Sequence, residues 1–170
     1  MSDLSAQEVA TCCRLSWMLM SGSGGPRFAQ VRMDTLFVRD MAFWMSLADE
    51  MYGKMASMGV QGSRIADLRR ANEASNAENA EKRRLRAEAV SVADDVVHAM
   101  RHVGRERPEA WRMFEMMIKK QTLRKIVRKT RDRDGASIAA DIGWCSSHIV
   151  GAVGVSRLEL LLTLRQALVH

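Results

Sequence analysis

Residues 136–150 read ASIAADIGWCSSHIV, and this stretch decides the prediction for the C-terminal part of the chain. Ala139 is small enough to let two helices cross closely, and Gly143 accepts the left-handed backbone angles that a turn requires. Ser146 or Ser147 is placed to cap a second helix. Apolar side chains aimed into the joint are Ile138, Ile142 and Ile149. The spacing predicts a helix-turn-helix, and an ordinary helical hairpin is the alternative.

The composition of the whole chain predicts an all-α protein. The 170 residues are 47% hydrophobic and 27% charged, but only 5% aromatic, and two prolines interrupt them. Ala, Leu, Met, Arg and Glu dominate, a mixture that favours helix over sheet. We therefore expect a multi-helix bundle with a C-terminal helix-turn-helix-like module. Its expected parts are an N-terminal helical region over 1–75, a polar helix or linker over 76–89, and a basic C-terminal helical module over 90–170.

Local signals place several helix ends. Ser5 and Glu8 have the spacing of a capping box, and the glycine-rich run 21–26 ends the helix that they begin. Pro108 stands where a helix would start, and Thr122 can cap the next one. A broad apolar face over residues 31–57 predicts a helix that contributes to the core or to a dimer seam.

The net charge of +6 is unevenly distributed along the chain. Residues 1–100 carry 12 basic and 13 acidic side chains, and residues 135–170 carry 2 of each. Residues 101–134 carry 12 basic and 5 acidic side chains, a net charge of +7. A clustered excess of this kind attracts phosphate. A solvated helix face without a partner is the alternative interpretation.

We expect the nucleic-acid contacts in two sets. The phosphate contacts are expected from Lys119, Lys120, Arg124, Lys125, Arg128, Lys129, Arg131 and Arg133. The contacts of the second helix are expected from Ser146, Ser147 and His148. That helix has no Arg, Lys, Asn or Gln before Arg157, and those side chains make the usual bidentate base contacts. It would therefore discriminate weakly between sequences, unless the module faces a protein instead.

The sequence shows no catalytic constellation, and we expect neither an enzyme nor a cofactor. Asp94, His98 and His102 have the spacing of a conceivable metal site, but a polar helix face explains the same pattern, and no metal is predicted. The three cysteines fit a cytosolic protein, because the two adjacent ones rarely pair with each other and the odd number leaves a free thiol. The absence of a membrane-spanning stretch and of a basic N-terminal signal region predicts a cytoplasmic protein without membrane association.

The order of parts resembles the Q antitermination proteins of the phage 21 type and related sigma-region-4-like modules. The residues that carry the resemblance are Arg-Pro-Glu-Ala-Trp at 107–111, Thr-Leu-Arg-Lys-Ile at 122–126 and Cys-Ser-Ser-His-Ile-Val at 145–150. Two segments, 122–130 and 137–143, compete for the first helix of the motif. The resemblance implies a DNA-bound protein that loads onto RNA polymerase in the host cytoplasm, makes it ignore terminators and acts by contact alone.

Three functions follow as hypotheses. The first is a DNA-binding transcription regulator, with antitermination as its sharpest version. The second is a phage accessory protein that binds and modulates a host protein through its basic patch. The third is a small terminase-like packaging protein. A homodimer is compatible with the apolar face over 31–57.

Overall fold

The computed structural model describes residues 3–169, which form eight α-helices and no strand. The helices are α1 (Ala6–Ser21), α2 (Pro26–Arg39), α3 (Met41–Ser57), α4 (Gly62–Glu106), α5 (Pro108–Ile118), α6 (Leu123–Lys129), α7 (Gly135–Val153) and α8 (Val155–Val169). The prediction of an all-α multi-helix bundle is confirmed. The chain divides into two compact units. Unit 1 takes the residues up to Ala29 and from Ala89 onward, and unit 2 takes Gln30–Glu88.

Helix α1 belongs to unit 1, where it packs on α5, α7 and α8. It begins as predicted, because the Ser5 hydroxyl accepts the Glu8 N–H and the Glu8 carboxylate accepts the Ser5 N–H. It ends at Gly22, which has a φ of 76°. One face is buried, including Val9, Cys12 and Leu19. The expected N-terminal region over 1–75 is therefore not one body, because α1 buries this face in unit 1.

The unit 1 core also contains the part of α4 from Ala89 onward, and helices α5 to α8 supply the rest of it. Pro108 occupies the first turn of α5, and the Thr122 hydroxyl caps α6 by accepting the Lys125 N–H. Both helix starts were predicted from the sequence. The largest fully buried side chains of these four helices are Phe114, Ile126, Ile138, Ile149, Leu158 and Leu161.

The predicted turn at Gly143 is wrong, because α7 is one continuous helix through that residue. The reason lies in the phase of its apolar residues. Ile138, Ile142, Cys145, Ile149 and Val153 are all buried and recur at three- and four-residue steps, so the two predicted helices share one face. A glycine inside a helix costs about 1 kcal/mol relative to alanine, and burial of this face offsets it.

A sharp turn does occur after α7. Gly154 has a φ of 95°, and α7 and α8 are bent by 99° across it. Among the described residues, no single helix is long and apolar enough to cross a membrane. Only the bent pair of α7 and α8 reaches the required length and hydropathy, and only when the two helices are counted together.

Unit 2 comprises most of α2, all of α3 and the first part of α4. The long helix expected over 31–57 is two helices that separate at Asp40. The polar stretch over 76–89 is helical throughout, as part of α4. Val31 and Asp34 are the buried residues of this unit, and α3 buries none of its side chains. The apolar face over 31–57 is therefore not a core.

Candidate nucleic-acid interface

The cationic segment, residues 119–131, starts where α5 ends. Lys120 has a φ of 64°, in the left-handed region that favours glycine. Its N–H donates to the Met117 carbonyl, and the Gln121 N–H donates to the Met116 carbonyl, which closes the end of α5. Ile126, fully buried, then fixes α6 against unit 1. The backbone that carries the cations is thus held by hydrogen bonds and by one apolar anchor.

Most cations of the segment are exposed and have no carboxylate partner within 4 Å in the described part of the chain. These are Lys120, Arg124, Lys125, Arg128, Lys129 and Arg131. Lys119 differs, because its Nζ lies 3.8 Å from the Glu115 Oε1. Unpaired cations this close together raise the local positive potential, which attracts polyanions.

Arg133 is not among the free cations. Its Nη2 lies 2.5 Å from the Asp141 Oδ2 and 2.6 Å from the Ser137 Oγ. Asp141 is buried, and its other oxygen accepts a hydrogen bond from Arg107 at 3.2 Å. The Arg107 guanidinium in turn lies 4.7 Å from the centre of the Trp144 ring. Asp141 therefore joins the turn before α7 to the start of α5 through Arg133 and Arg107, and this contact gives Arg133 a structural role.

The structure does not bring the serine and histidine candidates to the cationic segment. Ser146 is buried in the middle of α7, so it neither caps a helix nor reaches a ligand. Ser147 and His148 are exposed, but His148 stacks on Trp144 with ring centres 4.0 Å apart. Val127 of α6 lies beside Gly135, at the other end of α7. His148 is 13 residues further on, roughly 20 Å along the helix axis.

If α6 and α7 acted as the two helices of a helix-turn-helix, the first turns of α7 would face the DNA groove. The segment 122–130 forms α6, whereas 137–143 lies inside α7. The exposed positions near the start of α7 are Ala136, Ala139 and Ala140. Alanine carries no hydrogen-bonding group for a base edge. This end of α7 can lie close to a duplex without reading its sequence.

A second cationic surface, which was not predicted from the sequence, lies between α1, the end of α4 and α5. It is a groove of about 590 Å³. Its charged and aromatic lining includes Arg14, Trp17, Arg101, Arg105, Trp111 and Lys119. Arg101 and Arg105 are one helical turn apart, a signal visible in the sequence. Arg14 and Trp17 are brought there only by the packing of α1 on α5.

Arg14 is fixed at one wall of this groove. Its Nη1 donates to the Ile118 carbonyl at 2.8 Å. Burial, and to a smaller extent the charge of Arg165, lower the pKa of Arg14. The single acidic residue of the lining is Glu115, which lies near Lys119. The groove therefore combines an apolar floor with a positive rim.

The three cysteines are buried, and His98 and His102 each lie near one carboxylate. Burial raises the pKa of Cys12 and of Cys145 to about 12, and it also raises the pKa of Cys13. These thiols are therefore protonated and weakly nucleophilic at neutral pH. His98 lies 3.6 Å from Asp94, and His102 lies 3.4 Å from Glu106. Within residues 3–169, no three His, Cys, Asp or Glu side chains are grouped to hold a metal ion.

The chain matches no family model, no curated protein and no solved structure.

Proposed function

We propose that the chain is a DNA-binding protein that holds backbone phosphates through the cationic segment. The observation that carries the proposal is the set of six exposed, unpaired cations on a fixed backbone between Lys120 and Arg131. Six cations that each neutralise a phosphate would release as many counterions, which makes binding strong at low salt.

The same surface supports a grip on the backbone rather than base reading. Arginine and lysine bind phosphate oxygens, and such contacts set position without carrying sequence information. The small exposed residues at the start of α7, Ala136, Ala139 and Ala140, add no base contacts. A partner protein would then determine the DNA sequence at which the chain binds.

The narrower proposal is a transcription regulator of the antitermination type that acts on RNA polymerase. It is supported by the resemblance at residues 107–111 and 122–126, which stand at the starts of α5 and α6. The third piece of that resemblance, 145–150, lies inside α7 with Cys145 and Ser146 buried. A packaging role remains a further proposal, and native mass spectrometry would distinguish it, since a ring of many copies is expected there.

The test compares two triple variants with the same loss of charge. Lys120→Gln, Arg124→Gln and Arg128→Gln remove half of the free cations of the segment. Arg64→Gln, Lys82→Gln and Arg165→Gln remove three exposed cations elsewhere. Fluorescence anisotropy with duplex DNA, over a series of salt concentrations, measures the affinity and its salt slope.

We expect the first variant to bind at least tenfold more weakly at moderate salt and to flatten the slope by roughly 2.7, about 0.9 for each lost phosphate contact. The control variant should keep the slope of the wild type. Absence of duplex binding by the wild type at low salt, or equal losses in both variants, would contradict the proposal.

The groove supports a second candidate function, the binding of a partner protein. An apolar floor with a positive rim suits an acidic amphipathic helix, whose apolar side chains enter the groove while its carboxylates meet the rim. Pulldown after nuclease treatment tests this. A protein retained by the wild type and by the Lys120, Arg124 and Arg128 variant, but lost with Arg101→Glu and Arg105→Glu, would support it. Loss of every partner on nuclease treatment would exclude it.

A further inference from the structure

We infer that the exposed apolar face of unit 2 is a dimerisation surface that binds a second copy of this chain. The face is defined by Phe43, Trp44, Met45, Leu47 and Met51 of α3 and by Leu68 of α4. Each of these side chains is between 39% and 62% exposed. The inference concerns assembly, and it stands apart from the proposed DNA binding.

Helix α3 has a broad apolar side that the single chain leaves uncovered. Its large apolar residues lie on one side, from Phe43 round to Met45, and Ser46, Asp49 and Gly53 lie on the opposite side. A broad apolar side on a helix normally faces a core. None of the 17 residues of α3 is buried in the single chain. Its sequence therefore fits a helix that is covered by another molecule.

The exposed area is large enough for a stable interface. Side chains of this size have areas on the order of 200 Å², so six of them at these exposures present roughly 600 Å². A patch of that size is at the upper limit for a monomer. A standard interface covers about 800 Å² on each partner, which the six side chains and a polar rim reach together.

The shape of the surface also fits a packed partner. A groove of about 710 Å³ lies along α3 and α4, lined by Met45, Met51 and Leu68 among others. Methionine side chains adapt to the surface that they meet. A concave, flexible apolar surface accepts a facing helix better than it accepts water.

Charge decides between the possible occupants. Residues 41–76 carry four basic and four acidic side chains, a net charge of zero. A polyanion is not attracted to such a surface. Helices that lie on membranes instead carry an excess of Lys and Arg on their polar side. A neutral surface with both signs of charge does not repel its own copy, and two-fold dimers are the commonest assemblies of soluble proteins.

Unit 2 gains a core through this contact. Its buried residues in the single chain are Val31 and Asp34. Units of this size commonly rely on disulfides, metals or oligomerisation for stability. Its residues 30–88 include no cysteine, and no three of their acidic side chains are grouped to hold a metal ion. Oligomerisation is the remaining route that its surface supports.

The experiment measures the mass of the nuclease-treated full chain by sedimentation velocity over a wide range of concentrations. We expect twice the chain mass of 19.1 kDa, with monomer returning on dilution. Met45→Glu with Met51→Glu should weaken the dimer by at least 100-fold, because a two-fold contact brings the introduced carboxylates together from both copies. Met45→Gln with Met51→Gln should have a smaller effect in the same direction.

Met33→Glu with Met58→Glu is the matched control, because Met33 is 56% exposed, Met58 is 82% exposed and neither lines the groove. It should leave the dimer intact. Circular dichroism checks that every variant keeps its helices. A wild-type chain that stays monomeric overturns the inference, as does a dimer that the Met45 and Met51 variants do not weaken. Monomeric binding to phosphatidylcholine vesicles, or to a foreign protein through this face, overturns it as well.

Discussion

Units 1 and 2 are both built from helices with apolar faces, but they differ in whether their large apolar side chains are buried. Unit 1 buries a set of large side chains, among them Phe114, Ile138 and Leu161, and leaves the cations between Lys120 and Arg131 exposed. Unit 2 exposes its large apolar side chains and pairs several of its charges, such as Arg69 with Asp49. Apolar periodicity therefore identifies the helix face that is normally buried, but it does not show whether the same chain or another molecule covers that face.

The largest effect is expected in the core of unit 1. Phe114→Ala removes a fully buried ring, which should lower the free energy of unfolding by about 3–5 kcal/mol. Phe43→Ala removes a ring of the same size that is 62% exposed, and in the monomer it should cost less than about 0.5 kcal/mol.

Urea unfolding followed by tryptophan fluorescence measures both changes. Trp44 lies in unit 2, and the other tryptophans, Trp17, Trp111 and Trp144, lie in unit 1. A background of Trp44→Phe therefore reports on unit 1 alone, where Phe114→Ala acts, and the part of the signal that this background loses reports on unit 2, where Phe43→Ala acts. Equal costs of the two alanine substitutions under monomeric conditions would end the contrast between the units.

The next effect concerns the one buried charge cluster of unit 2. The side chain of Asp34 is 8% exposed and pairs with Arg83 and Arg86, while the Arg83 guanidinium lies 4.3 Å from the centre of the Phe37 ring. Asp34→Ala would leave two half-buried cations without their carboxylate, at a cost of about 3 kcal/mol in the local stability of unit 2.

Hydrogen exchange locates this loss. Amides in α2 and in residues 80–88 of α4 should exchange faster in Asp34→Ala, whereas the amides of α7 should keep their protection. Adding Arg83→Met and Arg86→Met should recover part of the protection, because no uncompensated charge then remains. Faster exchange throughout unit 1 would show that the two units do not open independently.

Local chemistry let the sequence predict several features. The Ser5 cap, Pro108 in the first turn of α5 and the Thr122 cap each depend on neighbours within four residues, and all three are present. The turn at Gly143 failed because glycine permits a turn without requiring one. The phase of the buried residues from Ile138 to Val153 outweighed that permission.

Features that depend on distant parts of the chain could not be predicted. The cations between Lys120 and Arg131 could be named as a set, since each is visible in the sequence. The pairing of Arg133 with Asp141 could not be predicted, because it depends on the turn between them. The groove beside Trp17 depends on α1 reaching residues about a hundred positions away. The burial of Ser146 was not predicted, because the turn predicted at Gly143 placed Ser146 at the start of a helix.

The smallest effect is expected at Lys120, where stability and binding should change in opposite directions. Its φ of 64° is a left-handed conformation, which costs a residue with a Cβ roughly 1 kcal/mol. Lys120→Gly should therefore raise the free energy of unfolding by about 0.5–1 kcal/mol, and it should weaken duplex binding severalfold because one phosphate contact is lost.

Lys120→Ala separates the two causes, because alanine removes the charge and keeps the Cβ. Both variants should weaken binding equally in anisotropy measurements, while only Lys120→Gly should gain stability in urea unfolding. If both variants bind duplex as the wild type does, Lys120 is not a phosphate contact and the free cations that grip DNA begin at Arg124. If alanine stabilises as much as glycine, the left-handed backbone carries no cost, and the lysine needs no functional reason for standing where glycine is preferred.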